Sequence, residues 1–276
     1  MAFKLLFTNK NYTTFIIFSS YSNIFYQKKQ TGYNRNNHIK NNFNAQWRRK
    51  IDTIIFDLDD TLIKTSKIYN LARSEFSSLM VDLGFLQDEV LDKLDEIDII
   101  HISRHGFAKE RYPFSLVKTY HHYCRKAGIK INREIEKKVA EVGWKVFNQV
   151  PEKVEGVEEV LNYLKNRYFM LLATLGDPEI QHKKIFYSGL TPYFSSVYVL
   201  NQKSVEEYSK IIQEHNLKKK KTWLIGNSVR SDLNPGLKLG LNCILIPAVT
   251  WKFEEEKPLA NDYLRLEKLT EIINYL

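Results

Sequence analysis

Cysteine is scarce in this sequence, and long apolar stretches are missing. Cys124 and Cys243 are the only cysteines among 276 residues, too few for the disulfide framework of a small secreted protein. The apolar run near the N-terminus, residues 15–18, is much shorter than the roughly 18 residues that a membrane helix needs. Hydrophobic residues still make up 43% of the chain, which is enough for a packed core. We therefore predict a soluble, cytoplasmic globular protein that does not associate with a membrane.

Acidic residues are absent from the first fifty positions. Residues 1–50 contain nine Lys and Arg and no Asp or Glu, so they account for the whole net charge of +9. The rest of the chain holds as many basic as acidic residues. Because the excess charge is confined to this extension, the global charge does not indicate a nucleic-acid partner, and we predict none.

Two interpretations of residues 1–50 remain open. A basic, hydroxyl-rich segment without acids is typical of a presequence for the mitochondrion or the plastid, although arginine is scarce in this one. The alternative is a disordered extension, because no helical or alternating pattern persists for more than a few residues. In either case we predict that the folded part begins at residue 51.

Short apolar runs alternate with amphipathic stretches over most of the remaining chain. The predicted strands are residues 51–56, 168–173, 196–200, 222–225 and 243–246. The predicted helices between them are residues 154–166, 178–188, 205–215 and 232–239. This alternation is typical of an α/β fold with a doubly wound parallel sheet, which we assign to residues 51–64 and 154–276.

Residues 65–153 interrupt this alternation, because they contain helical patterns and no strand-like run. The predicted helices are residues 66–83, 87–97, 113–127 and 133–147, with Gly128 and Gly143 near helix ends or turns. We therefore predict a second, all-helical domain inserted directly after the first strand.

The loop after the first predicted strand concentrates carboxylates. Its sequence is Asp57-Leu58-Asp59-Asp60-Thr61-Leu62. Open α/β sheets bind ligands where their strands end. Two carboxylates with different surroundings can divide the work of nucleophile or metal ligand and of proton donor and acceptor. Asp57 and Asp59 are therefore the first candidates for catalytic residues.

This loop resembles the first motif of the haloacid dehalogenase-like hydrolase superfamily, Asp-x-Asp-x-Thr/Val-Leu/Val after the first strand. The resemblance implies that Asp57 attacks phosphorus and carries an aspartyl-phosphate, while Asp59 protonates the leaving oxygen and later deprotonates water. It also implies a Mg²⁺ cofactor that bridges Asp57 and the substrate. A carboxylate at Asp59 argues against dehalogenation, because a departing halide needs no proton.

Two further motifs of the superfamily follow in order. Thr174, at the end of a predicted strand, matches the Ser or Thr that hydrogen-bonds the phosphoryl group, although a helix N-cap would explain it equally well. Asp177 before Pro178 fits such a cap. Lys203 matches the lysine that neutralises the nucleophile and the phosphoryl group. Its rivals Lys183 and Lys184 lie inside a predicted helix, so the motif order favours Lys203.

The fourth motif, residues 226–232, departs from the family pattern. The superfamily usually has two acids here for Mg²⁺, whereas this chain has Asn227 and Asp232. An amide oxygen binds a hard cation less strongly than a carboxylate does. The resemblance implies metal ligation by Asp57, the main-chain carbonyl of Asp59, Asp232 and Asn227, and we expect the substitution to weaken Mg²⁺ binding.

The helical insert resembles the C1 cap of the superfamily, which closes over the site and contacts the leaving group. Residues 103–113 bring Arg104, His105 and Arg111 near aromatic residues, so we consider them candidate substrate-binding residues. A solvated loop is the alternative. The insert also contains five histidine or cysteine side chains, but no spacing completes a zinc site. They are His101, His105, His121, His122 and Cys124.

These observations together predict a Mg²⁺-dependent phosphatase that acts on a small phosphorylated metabolite. Two alternatives stay open. A phosphomutase would use the same motifs but retain the phosphoryl group, and a catalytically weak binding protein of the same fold would use Asn227 and an adapted cap. The sequence does not identify the substrate or the oligomeric state.

Overall fold

The computed structural model describes residues 52–249 and 251–276 in full, and the backbone of three strands nearer the N-terminus. Residues Met1–Arg48 and Arg49–Leu276 form two separate compact units. In the first unit, β1 (Lys4–Asn9), β2 (Tyr12–Ile17) and β3 (Tyr26–Lys29) form an antiparallel sheet in that order. The β-branched and aromatic residues of these stretches account for the strands, and the two interpretations of residues 1–50, a presequence or a disordered extension, stay predictions. The rest of that extension lies outside the described residues.

The second unit is built on a six-stranded parallel sheet, which confirms the predicted fold class. The strand order is β6-β5-β4-β7-β8-β9. The strands are β4 (Thr53–Phe56), β5 (Phe169–Leu175), β6 (Ser196–Leu200), β7 (Thr222–Gly226), β8 (Asn242–Leu245) and β9 (Leu264–Arg265). Each of the five predicted apolar runs forms one of these strands.

Helices cover both faces of this sheet, because successive side chains of the central strand point to opposite sides. Ile54 and Phe56 lie in one apolar cluster, and Ile55 lies in the other. Helices α5 (Val157–Leu164) and α6 (Pro178–Tyr187) pack in the first cluster. Helices α7 (Val205–Glu214) and α8 (Asn234–Leu239) pack in the second. The segment predicted as one helix over 232–239 is a π-helix, Val229–Leu233, followed by α8.

Four helices between β4 and β5 form the helical insert, which we call the cap. They are α1 (Thr65–Asp82), α2 (Gln87–His105), α3 (Arg111–Lys126) and α4 (Arg133–Lys145). Helix α2 is two turns longer than predicted and includes Arg104 and His105. Gly143 lies inside α4, where a Cβ atom would come within 2.5 Å of the Pro113 backbone, so its small size allows α3 and α4 to pack closely.

No helix within the described ranges is both long enough and apolar enough to cross a membrane.

Candidate active site

The acidic loop lies at the carboxyl end of β4, in the middle of the sheet. The side chains of Leu58 and Leu62 are fully buried and anchor the loop to the core. The backbone N–H of Asp57 donates to the carbonyl oxygen of Ile225 in the neighbouring strand, at 2.9 Å. Asp60 has a positive φ of 59°, a conformation that aspartate tolerates better than most residues. Its carboxylate accepts from the Ser66 N–H at 2.8 Å and thereby supports the first turn of α1.

Asp57 is almost completely buried, and both of its carboxylate oxygens have donors. The Lys203 ammonium donates to Oδ1 at 2.5 Å, and the Thr61 hydroxyl donates to Oδ2 at 2.8 Å. Burial raises the pKa of Asp57 to about 7, because the desolvation of the carboxylate outweighs the attraction of Lys203. The sequence predicted that Lys203 would lie against the nucleophile, and the structure brings Lys203 and Asp57 together.

Lys203 lies between two buried carboxylates. Its ammonium donates to Asp232 Oδ1 at 2.6 Å as well as to Asp57. Burial alone would lower its pKa, but Asp232 and Asp57 together raise the pKa well above its ordinary value. Asp232 also accepts from the Tyr208 hydroxyl at 3.1 Å and from the Ser228 N–H at 3.2 Å. In this arrangement Asp232 holds the lysine against Asp57.

Asp59 has a separate set of partners. The Lys184 ammonium donates to its Oδ1 at 2.8 Å, the Gln181 amide donates to its Oδ2 at 2.6 Å, and the Thr65 hydroxyl also donates to Oδ1. Burial raises the pKa of Asp59, but Lys184 and the hydrogen bonds from Thr65 and Gln181 together lower it by more, so the net shift is downward. Two carboxylates only two positions apart are therefore shifted in opposite directions.

Three oxygen atoms converge beside Asp57, and the Thr61 hydroxyl is a donor to two of them, at 2.8 Å to Asp57 Oδ2 and 3.3 Å to the Asn227 side-chain oxygen. The side-chain oxygen of Asn227 lies 3.2 Å from Asp57 Oδ2 and 3.2 Å from the main-chain oxygen of Asp59. Rotating the amide would let its nitrogen donate to both atoms, whereas a hard cation would use all three oxygens as ligands. The donor set of carboxylate, carbonyl and amide oxygens thus fits Mg²⁺. No three His, Cys, Asp or Glu side chains in the described part of the chain form a metal cluster.

Thr174 lies at the end of β5 beside the same pair of carboxylates. It is fully buried, and its hydroxyl accepts a hydrogen bond from the Gln181 amide at 2.6 Å. The helix cap at this position is provided by Asp177, whose carboxylate accepts from the N–H groups of Glu179 and Ile180. Thr174 is therefore not the N-cap, and the Gln181 amide connects its hydroxyl to the Asp59 carboxylate.

A large cavity of about 1030 Å³ opens above these residues, between the sheet and the cap. Asp57, Asp59 and Lys203 line its floor, and Arg111 lines its cap side. The other two cap candidates are not brought into it: Arg104 and His105 are exposed near the end of α2. Because α2 continues through both residues, the predicted basic loop is shorter than residues 103–113, and helical geometry directs these side chains to solvent.

Several residues of this site were not among those singled out from the sequence. Gln181 and Lys184 lie one turn apart on α6, and both contact Asp59. Their spacing puts two polar residues on one face of the helix after β5, and this is the sequence feature that could have indicated them. Lys184 had been weighed only as a rival of Lys203. Tyr208, on α7, contacts Asp232 in the π-helix before α8, and nothing in its local sequence indicates that contact.

The comparison with protein-family models identifies the class of this protein. The model of the haloacid dehalogenase-like hydrolases matches residues 54–246, which is more than half of the chain. The chain therefore belongs to the haloacid dehalogenase-like hydrolases, and the resemblance drawn from the acidic loop is confirmed. The match begins inside β4 and ends just after β8, so it includes the cap and all four motifs.

Two curated relatives carry phosphatase names. A pyrimidine 5′-nucleotidase from Streptococcus pneumoniae is 32% identical over 103 residues, which are 35% of this chain and 44% of that protein. A glyceraldehyde 3-phosphate phosphatase from Methanocaldococcus jannaschii is 25% identical over 235 residues, which are 82% of this chain and 98% of that protein. The chain thus spans less than half of the first relative's length and nearly all of the second's.

A solved structure of a haloacid dehalogenase-like family hydrolase from Xanthomonas campestris has the same fold. Its TM-score is 0.68 at 24% identity, with 82% of this chain and 90% of that chain covered. At this level of identity the likeness concerns the fold alone.

Proposed function

We propose that this protein is a Mg²⁺-dependent phosphatase that hydrolyses a small phosphate monoester through an aspartyl-phosphate on Asp57. The observation that carries the proposal is the pairing of two carboxylates, one buried and one partly buried, with separate lysines at one strand end. Lys203 contacts Asp57 at 2.5 Å, and Lys184 contacts Asp59 at 2.8 Å. Such separation gives each carboxylate its own role.

In the first step, a carboxylate oxygen of Asp57 attacks the phosphorus atom, and the bond between phosphorus and the ester oxygen breaks. Asp59 gives its proton to the departing oxygen. Lys203 and Thr174 hold the phosphoryl oxygens from two sides. In the second step, water attacks the aspartyl-phosphate, Asp59 takes the proton of that water, and inorganic phosphate leaves with Asp57 restored.

Asp59 takes up the proton that it donates from solvent as the substrate binds. Lys184 lowers the pKa of Asp59 in the free site, so this carboxylate is ionised there. A phosphate dianion placed beside it adds negative charge, which raises the proton affinity of the carboxylate. Asp59 is thereby ready to donate in the first step and to accept in the second. A dehalogenase would have no use for this proton, so the carboxylate supports phosphate-ester chemistry within the family.

The metal ion would be held by Asp57, the carbonyl of Asp59, Asn227 and Asp232, and Asp232 would also position Lys203. When bound, Mg²⁺ supplies positive charge that offsets the like charges of the phosphate and the carboxylates. The names of the curated relatives favour the same reaction class, because both a nucleotidase and a glyceraldehyde 3-phosphate phosphatase act on phosphate monoesters. A small phosphorylated metabolite in the cytoplasm is the substrate that we expect.

The test is phosphate release by the full chain from p-nitrophenyl phosphate, sugar phosphates and nucleotides, with Mg²⁺ or with EDTA. We expect release only with Mg²⁺, and we expect Asp57→Asn to abolish it. Asp82→Asn serves as the matched control, because Asp82 is exposed on the last turn of α1. Phosphoryl transfer between substrate molecules without phosphate release would instead identify a phosphomutase. A folded protein with neither activity would contradict the proposal.

A further inference from the structure

The cap end of the cavity differs from its floor because aromatic rings line much of it. These rings belong to Tyr69, Phe107, Tyr112 and Phe147 from the cap and Trp251 from the core. The Tyr69 and Tyr112 rings pack edge to face with their centres 4.9 Å apart. Aromatic walls of this kind bury flat, apolar faces of a ligand.

The charged groups at this end already compensate one another. Three cations and three carboxylates form the set: Arg73 with Asp95, Arg111 with Asp98, and Lys252 with Asp92. The Arg73 pair measures 2.5 Å and the Lys252 pair 2.6 Å. Each of these three cations already has a carboxylate partner, so a second anionic group on the substrate would have to compete with that carboxylate. The cap end therefore suits an uncharged leaving group.

Two buried donors at this end have no acceptor. Arg111 and Tyr112 are 7% and 4% exposed. Within the described residues, neither the Nε of Arg111 nor the hydroxyl of Tyr112 makes a hydrogen bond. Burial raises the pKa of Tyr112 far above its ordinary value, so its hydroxyl keeps its proton. Buried donors without acceptors cost free energy, which a ligand that brings acceptors would recover.

The Arg111 guanidinium also lies between two of the rings. Its central carbon is 5.6 Å from the centre of the Phe107 ring and 5.8 Å from that of the Trp251 ring. Phe107 and Trp251 both contact Phe253, at 5.6 Å and 5.4 Å between ring centres. The unpartnered donors are thus framed by the aromatic wall, and one ligand could contact both.

From these features, and resting on the phosphatase function proposed above, we infer that the cap end binds an uncharged planar ring that carries carbonyl oxygens. The ring would pack against the aromatic side chains, and its carbonyl oxygens would accept from Arg111 and Tyr112. A cavity of about 1030 Å³ has room for such a ring joined through a sugar to the phosphate over Asp57. The substrate class is a nucleotide-like monoester with one phosphate.

The first experiment compares kcat/KM for four alkyl phosphates that differ only in what they present to the cap. Uridine 5′-monophosphate has a ring with carbonyls, benzyl phosphate has a ring without them, glycerol 3-phosphate has no ring, and 3-phosphoglycerate adds a carboxylate. We expect the values to fall in that order, with at least about a tenfold difference between the first and the third. Fastest hydrolysis of glycerol 3-phosphate or of 3-phosphoglycerate would overturn the inference.

The Tyr112→Phe variant tests the hydroxyl without removing the ring. We expect the ratio of kcat/KM for uridine 5′-monophosphate over benzyl phosphate to fall about tenfold. Tyr123→Phe is the matched control, because Tyr123 lies on the same helix but does not line the cavity. Arg111→Lys keeps a cation for Asp98 while removing the planar donor, and we expect the same direction of change. An unchanged ratio in both variants would overturn the inference.

Binding of uridine, which has no phosphate, separates this inference from the catalytic proposal. Because Trp251 lines the cavity, we expect uridine to change the tryptophan fluorescence of the full chain, and the change to disappear in Trp251→Phe. Tyr112→Phe should weaken uridine binding severalfold. Uridine binding without hydrolysis of any phosphate ester would contradict the phosphatase alone. Phosphate release from aliphatic esters with no uridine binding would contradict the ring subsite alone.

Discussion

The floor of the cavity and its cap end carry charged groups in different proportions. At the floor, three carboxylates, Asp57, Asp59 and Asp232, face two ammonium groups, Lys184 and Lys203. At the cap end, three carboxylates face three cations. The floor is thus short of one positive charge and has a cluster of oxygens beside Asp57, whereas the cap end is balanced. This difference indicates that the floor is built for a metal ion and a phosphate, and the cap end for an uncharged group.

Removing Lys203 from the floor should have the largest effect on activity and stability. Lys203→Met leaves Asp57 and Asp232 buried together without their shared cation. We expect at least about a thousandfold loss of kcat and a decrease of about 3–5 kcal/mol in the free energy of unfolding. Phosphate-release kinetics and urea denaturation measure the two effects. Lys210→Met is the control, because Lys210 pairs with Glu207 at the surface, and a comparable loss in that variant would refute the assignment.

Placing a carboxylate at position 227 in the fourth motif should strengthen Mg²⁺ binding. Asn227→Asp adds a negative charge next to Asp57 Oδ2 and the Asp59 carbonyl. We expect the Mg²⁺ concentration for half-maximal activity to fall about ten- to a hundredfold, because carboxylates bind this ion better than amides. In EDTA the variant should unfold at a lower temperature than the wild type. Asn166→Asp is the control at the surface. An unchanged Mg²⁺ requirement in Asn227→Asp would contradict a role for Asn227 in the metal site.

Acid should weaken Mg²⁺ binding at the floor. Burial raises the pKa of Asp57 to about 7, and the metal ion binds only the ionised carboxylate. Apparent Mg²⁺ affinity should therefore fall about tenfold between pH 8 and pH 6. Calorimetric titration at both pH values measures this change. The same affinity at both values would contradict the assigned shift.

Protonation of Asp57 should also change the stability of the metal-free protein. Aspartate titrates near 4 in an unfolded chain, so the folded state holds this proton more tightly. The contribution of Asp57 to the free energy of unfolding is therefore present at low pH and lost as the pH rises through about 7. Asp57→Asn lacks this contribution while keeping His101 and His182, whose pKa values burial lowers. We expect the stability difference between the two proteins to depend on pH in EDTA in this direction.

A smaller effect should follow from weakening the contacts of residues 252–254, which contact both the fourth motif and the cap. Glu254 accepts from the hydroxyls of Ser228 and Ser231 in the fourth motif, and its neighbour Lys252 pairs with Asp92 on the cap. We expect Glu254→Gln to raise the half-saturating Mg²⁺ concentration about threefold with little change in stability. Glu255→Gln is the control on the exposed neighbour. Equal effects in the two variants would exclude a positioning role for Glu254.

The sequence predicted the site best where a motif coincides with the end of a strand. The β4 pattern and the Asp57–Asp59 spacing placed the acidic loop, and the position of Lys203 after β6 distinguished it from the helical Lys184. The prediction was poorer in the cap. Arg104 and His105 lie on a helix that continues into the expected loop, because Gly106 rather than the preceding residues ends it. Helix ends set by a single glycine are difficult to place within two turns.

Local periodicity and motif order by themselves determined the parallel sheet, the helical insert and the identity of the acidic loop. These features depend on residues close together in the chain, whose spacing fixes the direction of each side chain. Only the tertiary structure decided which lysine serves which aspartate, that Asp232 holds Lys203, and that the cap cations are already compensated. Such pairings join residues far apart in the chain, 146 positions for Lys203 and Asp57 and 160 for Lys252 and Asp92. Packing of the whole fold, not local sequence, fixes distances of this kind.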